Sequence, residues 1–234
     1  MESTPLLPED ENPFSEKAIR NGFVRKVYLL LSVQLLITFG VCAAFILIPQ
    51  VHDYAVQNVA LMWAAILCYI VLVIVLACCP GIQRSFPWNI LMLFALTIAL
   101  SYLIGSIAAT FTLTSVLLAL GICVLSCVGV TLFAMNTRYD FTSWYGYLFM
   151  ISMILLLWGF LFLPFFGNIG LTQKIFAGIG AVVFLLYLAA DTQAIMGRKS
   201  LKISTEDYVF AALTVYLDVI NIFLFLLQLS GQQK

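Results

Sequence analysis

Two aspartates, Asp191 and Asp218, lie within hydrophobic stretches that are long enough to cross a bilayer. Asp191 is the only ionisable side chain, apart from tyrosine, in Ile175–Gly197, and Asp218 is likewise alone in Val209–Leu229. A carboxyl group at membrane depth costs at least ~2.5–3.5 kcal/mol on insertion scales, so such residues usually mark a path for an ion, a proton or a substrate. We therefore take this pair as the candidate functional site.

The two aspartates are expected to lie close together. Consecutive helices joined by a short loop run antiparallel, and each aspartate is two to three helical turns from that loop, so the carboxyl groups should sit at comparable depth. Four more polar side chains fall within about one turn of an aspartate and are expected to support the pair: Tyr187, Thr192, Gln193 and Asn221.

Two carboxyl groups in a medium of low dielectric constant do not easily both ionise, so the pair should bind and release protons as one unit. When deprotonated it would attract a hard cation, and Ca²⁺ requires about 6–8 oxygen ligands. Water, amide or backbone oxygens would have to supply the others. We therefore predict that Asp191 and Asp218 coordinate Ca²⁺ transiently and sense pH. The alternative is that they only bond to hydroxyls or amides of neighbouring helices.

The composition identifies an integral membrane protein. Of the 234 residues, 63% are apolar and only 9% are charged, and the mean hydropathy is +1.08. Soluble domains carry about 25% charged residues. The net charge is zero, which gives no electrostatic reason to expect nucleic acid as a partner. The expected partners are the lipid bilayer and Ca²⁺, and no residue pattern indicates a cofactor.

Seven apolar runs have about the length of a transmembrane helix, which predicts an all-α seven-helix bundle. These runs are Val27–Ile48, Val59–Cys79, Trp88–Ala109, Leu113–Met135, Trp144–Phe166, Ile175–Gly197 and Val209–Leu229. The boundary between the third and fourth runs is the least distinct. The predicted organisation is a disordered cytosolic tail at 1–26, a membrane domain at 27–229 and a short C-terminal tail at 230–234.

The distribution of basic residues predicts a cytosolic N-terminus. With that orientation, only Lys174 and Lys234 lie on the non-cytosolic side. Nine basic residues fall on the cytosolic side: Lys17, Arg20, Arg25, Lys26, Arg84, Arg138, Arg198, Lys199 and Lys202. Seven crossings would place the C-terminus outside, unless the last segment dips into the membrane and returns.

Three sequence blocks closely resemble the Bax inhibitor/lifeguard family, and within it the branch of Golgi anti-apoptotic proteins. The blocks are Phe23–Tyr28, Asp191–Gln193 and, most specifically, Glu206–Leu224. The resemblance implies seven helices with a short, polar-interrupted last helix in the core. It also implies a pH-sensitive Ca²⁺ leak from intracellular stores and suppression of cell death.

The resemblance further assigns roles to individual residues. The family's pH-sensing pair matches Asp191 and Asp218, and an acidic residue implicated in channel behaviour matches Glu206. Glu206 and Asp207 would form an acidic mouth that raises the local cation concentration, and they could also favour the first turn of the last helix. Some family members have an arginine in the second helix that pairs with the two aspartates, and Val59–Cys79 contains none.

The N-terminal segment contains Glu2, Leu6 and Leu7 in an acidic dileucine arrangement, which would be read by cytosolic sorting adaptors. This pattern is short, and the alternative is an ordinary acidic, proline-containing tail. The expected location is an endomembrane, either the Golgi, the endoplasmic reticulum or the lysosome/vacuole.

Other functional classes fit less well. Metal-dependent hydrolysis would require several histidines, and His52 is the only one. An intramembrane aspartyl protease also uses two membrane aspartates, but their sequence contexts there differ from those of Asp191 and Asp218. We therefore expect no enzymatic activity. A non-conducting scaffold that suppresses death through membrane partner proteins is the main alternative. The small-residue pairs Gly105/Ala109 and Ala177/Ala181 would permit close helix contacts within the chain or with a partner.

Overall fold

A computed structural model of the chain describes residues 13–162, 170–197 and 199–232. These residues are almost entirely helical. The helices are α1 Pro13–Leu47, α2 Pro49–Gln57, α3 Val59–Cys78, α4 Pro80–Gln83, α5 Trp88–Ala108, α6 Leu113–Asn136, α7 Tyr145–Phe162, α8 Gly170–Met196 and α9 Tyr208–Ser230. A short 3-10 helix, Phe141–Trp144, leads into α7.

The seven-helix prediction is confirmed. Within the described residues, seven helices are long and apolar enough to cross a membrane: α1, α3, α5, α6, α7, α8 and α9. Even the least distinct boundary was placed correctly, because α5 ends at Ala108 and α6 begins at Leu113. Thr112 caps α6 by accepting a hydrogen bond from the backbone N–H of Ser115, which satisfies a donor that the first turn leaves open.

Helix α1 begins earlier than the sequence analysis expected. Residues 13–26 were assigned to a disordered tail, but they form the first turns of α1. Pro13 is favourable at a helix start, since its ring presets the backbone angle. Phe23 and Val27 are buried, and Arg20 donates a hydrogen bond of 2.7 Å to the carbonyl of Ile203. Contacts with the rest of the bundle therefore hold this segment in a helix.

Helices α8 and α9 form the centre of the bundle. In each of these helices, 56% of the most apolar 18-residue stretch is buried inside the protein, compared with 6% in α3. Helix α9 runs without interruption through Asp218 and Asn221 and is 23 residues long, so it is longer than the short last helix that the resemblance implied. The two central helices approach closely at Gly180, where an added Cβ would lie 2.5 Å from the ring of Phe225.

A buried network of polar side chains joins α1 and α5 to α9. Gln34 donates to the hydroxyl of Thr97 at 3.0 Å. The hydroxyl of Thr38 lies 2.9 Å from that of Ser101 and 2.8 Å from that of Tyr216. Hydrogen bonds of this kind between helices are a recognised source of stability inside membranes, where packing against lipid gives no hydrophobic gain.

The two small-residue pairs pack within the bundle. Gly105 faces Phe45 of α1, and Ala109, Ala177 and Ala181 are all buried. These residues therefore serve contacts inside the chain and do not form an exposed surface for a second protein.

We expect Gly180→Ala to lower the stability of the folded protein, because the new methyl group would overlap the ring of Phe225. Overpacking of this kind typically costs about 1–3 kcal/mol. The matched control is Gly178→Ala in the same helix, where nothing lies within 4 Å of an added Cβ. Thermal unfolding in detergent should show a lower midpoint for Gly180→Ala only. Equal midpoints would contradict the close packing of α8 on α9.

Candidate functional site

The structure brings Asp191 of α8 and Asp218 of α9 together in the middle of the bundle. Each side chain is only 6% exposed, and the two carboxyl groups lie within electrostatic range of each other. Their helices are neighbours that run antiparallel and are joined by the segment after Met196. The two carboxyl groups therefore form one buried acidic site, which we call the acid pair.

The two members of the acid pair differ in their hydrogen bonds. The hydroxyl of Tyr145 on α7 donates to Oδ1 of Asp191 at 2.5 Å, and the hydroxyl of Thr214 on α9 also interacts with this carboxyl group. By contrast, Oδ2 of Asp218 is buried and has no hydrogen-bond partner within the described residues. Buried polar atoms are rarely left without a partner, so this oxygen is a candidate ligand for a proton, a water or a cation.

The turn before α7 positions Tyr145. Oδ1 of Asp140 accepts hydrogen bonds from the backbone N–H and the hydroxyl of Thr142, at 3.0 and 2.6 Å, and so caps the 3-10 helix. Oδ2 of Asp140 accepts from the backbone N–H of Ser200 at 3.2 Å. This capped turn joins the loop before α7 to the segment after α8 and places Tyr145 over Asp191.

Gln193 supports the acid pair through the same turn. Its amide oxygen accepts from the backbone N–H of Phe141 at 2.8 Å, and its amide nitrogen donates to the carbonyls of Tyr139 and Ala134 at 2.9 and 3.2 Å. These three bonds occupy the side-chain amide of Gln193, so this group binds the backbone between α6 and α7. Gln193 therefore acts as a structural anchor for the turn that holds Tyr145, whereas the sequence analysis expected it beside the aspartates.

Two of the other predicted supporting residues, Tyr187 and Asn221, have hydrogen-bond partners of their own. The hydroxyl of Tyr187 lies 3.1 Å from that of Ser152, and its ring lies 6.4 Å from the ring of Tyr145. Thr192 is fully buried near Tyr28 of α1, and its hydroxyl oxygen has no hydrogen-bond partner within the described residues. Asn221 donates to the carbonyl of Leu217 in its own helix at 2.7 Å. Of these residues, Tyr187 packs against Tyr145, the residue that donates a hydrogen bond to Asp191.

The predicted acidic mouth at Glu206 and Asp207 is occupied by Arg84, which follows α4. Nε and one terminal nitrogen of Arg84 donate to the two oxygens of Asp207 at 2.7 and 3.1 Å, and the other terminal nitrogen lies 3.1 Å from Glu206. This hydrogen bond and the charge of Asp207 raise the pKa of Arg84 further above its usual range. The mouth therefore carries less net negative charge than the sequence suggests.

Asp207 does not cap α9 with its side chain. It occupies the N-cap position, but it makes no side-chain capping bond because its carboxylate is engaged with Arg84. Other basic residues lie at the same end of the bundle: Lys26 lies 5.7 Å from the ring of Tyr208, and Lys199 donates to the carbonyl of Arg138 at 2.7 Å.

The dileucine residues Glu2, Leu6 and Leu7 lie outside the described residues. Within the described part of the chain, no group of three or more His, Cys, Asp or Glu side chains is arranged to hold a metal ion. The acid pair alone could supply only part of the about 6–8 oxygen ligands that Ca²⁺ requires.

Sequence reasoning missed Tyr145, Thr214 and the pairing of Arg84. Thr214 lies one helical turn before Asp218 on the same face, so helical spacing could have identified it. Tyr145 and Arg84 reach their acidic partners from distant parts of the chain, and no local pattern indicates those contacts.

Comparison with known proteins identifies the family. A family model described as inhibitor of apoptosis-promoting Bax1 matches residues 20–234. The chain is 36% identical to human protein lifeguard 3 over 223 residues, covering 94% of this chain and 72% of the relative. It is 36% identical to mouse lifeguard 3 with the same coverage, and 31% identical to mouse lifeguard 4 over 90% of this chain and 84% of the relative.

The chain belongs to the Bax inhibitor/lifeguard family, as the sequence blocks predicted. It is therefore a multi-pass membrane protein of a family of apoptosis inhibitors. The branch within the family stays a prediction.

We expect Tyr145→Phe to destabilise the protein by about 1–3 kcal/mol, the usual range for a lost hydrogen bond to a buried polar or charged partner. The change removes the only hydroxyl that α7 donates to Asp191 in the described structure. The control is Tyr147→Phe, since the side chain of Tyr147 is exposed on the same helix. Chemical denaturation in detergent measures both variants. If they lose equal stability, the Tyr145–Asp191 bond does not contribute.

The hydrogen bonds of Asp140, in the loop before α7, predict that the stability of the protein depends on pH. Hydrogen bonds from Thr142 and Ser200 lower the pKa of Asp140 to about 2. An unfolded aspartate has a pKa of about 3.9. The ionised carboxylate therefore stabilises the fold at all pH values above about 4, and this contribution is lost as the pH falls toward 2.

The difference in unfolding midpoint between the wild type and Asp140→Asn should accordingly be constant near neutral pH and should shrink below about pH 4. Thermal unfolding over a pH series measures it. If the wild type and Asp140→Asn have the same unfolding midpoint at neutral pH, the hydrogen bonds of Asp140 do not stabilise the protein.

Proposed function

We propose that this protein is a pH-sensitive Ca²⁺ leak channel of an endomembrane, which lowers the Ca²⁺ content of an intracellular store and thereby inhibits apoptosis. The observation that carries the proposal is the acid pair, in which two buried carboxyl groups on the central helices lie within electrostatic range of each other and one oxygen of Asp218 has no partner in the described residues.

Repulsion between the two carboxylates of the acid pair would gate the channel. Two ionised carboxylates side by side in an apolar bundle repel each other, and either a shared proton or a bound cation relieves that repulsion. Protonation removes both the charge and the oxygen ligands that a cation requires. Proton and Ca²⁺ therefore compete for the same two side chains, and pH controls the leak.

Arg84 acts as a second control, at the end of the bundle where α9 begins. Glu206 and Asp207 would concentrate cations at that end of the bundle, but the guanidinium of Arg84 neutralises part of their charge. The Arg84–Glu206 contact is solvent-exposed, with 47% and 68% of the two side chains accessible, whereas the side chain of Asp207 is only 18% accessible. Exposed ion pairs are weak and are screened by salt, so the contact with Glu206 can open and close more readily than the two-bond contact with Asp207.

The distribution of charge supports the proposed orientation, and the family supports the proposed location in an endomembrane. Arg20, Lys26, Arg84 and Lys199 make contacts at one end of the bundle, and the positive-inside tendency assigns that end to the cytosol together with the N-terminus. The Golgi, the endoplasmic reticulum and the lysosome are the candidate compartments, and the dileucine pattern at the N-terminus would serve adaptor-mediated sorting.

The main test is Ca²⁺ efflux from proteoliposomes that contain the purified full-length protein. We expect the efflux rate of the wild type to change between about pH 5 and pH 8 and the rate of Asp218→Asn to be insensitive to pH, because the variant has lost one of two coupled titrating groups. The matched control is Asp53→Asn, an exposed carboxylate on α2, which should retain the pH response.

A folded wild-type protein that releases no Ca²⁺ at any pH would overturn the channel and leave the non-conducting scaffold. If a helical substrate were cleaved, and if cleavage were lost in both Asp191→Asn and Asp218→Asn, the protein would instead be a protease.

We expect Arg84→Gln to increase Ca²⁺ efflux severalfold at low salt, because Glu206 and Asp207 would then attract cations without a competing guanidinium. The increase should diminish at high ionic strength. Arg84→Lys is the control, since it retains the positive charge and should stay close to the wild type. Equal rates for the Gln variant and the wild type at low salt would show that Arg84 does not regulate entry.

A further inference from the structure

A long apolar groove runs along α1 and α6 and borders the two helices that carry the acid pair. Helices α1 and α6 form its walls and α9 forms its floor, and its volume is about 810 Å³. This falls within the ~300–1,000 Å³ range of small-molecule sites. Its lining is almost entirely apolar and includes Leu35 and Phe39 of α1, Leu120 and Val124 of α6, and Val219 of α9.

The groove opens to the hydrocarbon core of the membrane. Phe39 and Val124 line it and are also about half exposed, at 52% and 53%, on helices that cross the bilayer. The groove is therefore continuous with the lipid-facing surface. An apolar cleft that is open to acyl chains will be filled from the membrane.

We propose that this groove is a binding site for a membrane phospholipid, whose acyl chain lies between α1 and α6 and whose phosphate lies near Arg25. The groove extends along α1 from Tyr28 to Leu47. At 1.5 Å per residue this is about 28 Å, close to the ~30 Å thickness of the hydrocarbon core. Its length and direction therefore match those of lipid chains in a bilayer.

The side chains of the groove fit an acyl chain better than a partner helix. Helices that associate in membranes present small residues, which let the backbones approach closely. The walls of the groove instead carry large branched and aromatic side chains, such as Leu36, Phe39 and Leu117. The small-residue pairs of this chain are buried inside the bundle.

A basic residue stands at one end of the groove. Arg25 is exposed and lies three residues before Tyr28 and seven before Ser32, which both line the groove. Helix α1 is continuous there, so this spacing puts Arg25 on the same face, one turn beyond the groove. A basic side chain at the end of an apolar span reaches the level of the lipid headgroups, where it attracts an anionic phosphate.

The bound chain would pack directly on the helix that carries Asp218. Val215, Val219 and Phe223 of α9 line the groove, whereas Asp218 does not. Cys123 on α6 also lies 3.7 Å from the carbonyl of Val219. The lipid is thus a ligand of the outer face of α9, and this inference does not depend on Ca²⁺ conduction.

The test uses the full-length protein in nanodiscs that contain a trace of phosphatidylglycerol with a photoactivatable diazirine in its acyl chain. After irradiation, mass spectrometry maps the labelled residues. We expect saturable labelling of groove residues on α1, α6 and α9, above the background on the lipid-facing helices α3 and α7. An excess of unlabelled phosphatidylglycerol should compete with the groove signal only.

Two pairs of variants locate the site. Val124→Trp should fill the groove and reduce its labelling severalfold. Leu125→Trp is the matched control, since Leu125 is the next residue on α6, is 76% exposed and does not line the groove. Arg25→Gln should weaken competition by phosphatidylglycerol relative to phosphatidylcholine, whereas Lys17→Gln, two turns further from the groove, should not.

Uniform labelling of all lipid-facing helices, or equal labelling of the Val124→Trp and Leu125→Trp variants, would mean ordinary contact with surrounding lipid and would overturn the proposal. Crosslinks between two copies of the chain through α1 and α6 would also overturn it, since the groove would then be a protein interface. Monodisperse elution and an unchanged unfolding midpoint confirm that each variant is folded.

Discussion

The cost of holding two carboxyl groups inside an apolar helical bundle shapes the centre of this protein. Neither Asp191 nor Asp218 has a cationic side chain among its described partners, so hydroxyl groups must stabilise the acid pair. Tyr145 reaches Asp191 from α7, and the turn that holds Tyr145 is in turn fixed by Asp140 and Gln193. A partly satisfied polar site is expensive in a low dielectric, which suggests that the unpartnered oxygen of Asp218 is retained for function.

Helix α9 is the element on which the separate features converge. Its first turn is linked to Arg84 through Asp207. Its middle carries Asp218 of the acid pair and Thr214, which interacts with Asp191. Between these two residues, Tyr216 hydrogen-bonds to Thr38 on α1. Its outer face forms the floor of the apolar groove. A change in the charge of the acid pair, in the Arg84 ion pair or in the groove would therefore act on one and the same helix.

The chain belongs to the Bax inhibitor/lifeguard family and has a buried acidic site among few polar residues. The arrangement here nevertheless has its own features. No arginine lies in the second membrane span to pair with the aspartates, and the basic partner sits instead at Arg84, at the end of the bundle, on the acidic residues before α9. In the proposed channel, Arg84 would act at the mouth and protonation at the acid pair.

The sequence by itself determined the class of protein, the seven spans, most of their boundaries in the described regions to within about five residues, and the neighbourhood of Asp191 and Asp218. The exception is the start of α1, which lies at Pro13 and not at Val27. These features are local, since hydropathy, span length and the short connection between the last two helices require no knowledge of distant contacts. The tertiary structure alone decided which polar groups meet the acid pair. Tyr145 reaches it because a capped turn directs α7 toward α8, whereas Asn221 bonds within its own helix and Gln193 holds a loop. Arg84 meets Asp207 from 123 residues away along the chain. Such contacts depend on the rotation of each helix about its axis and on the paths of the loops, and both are set by the packing of the whole bundle.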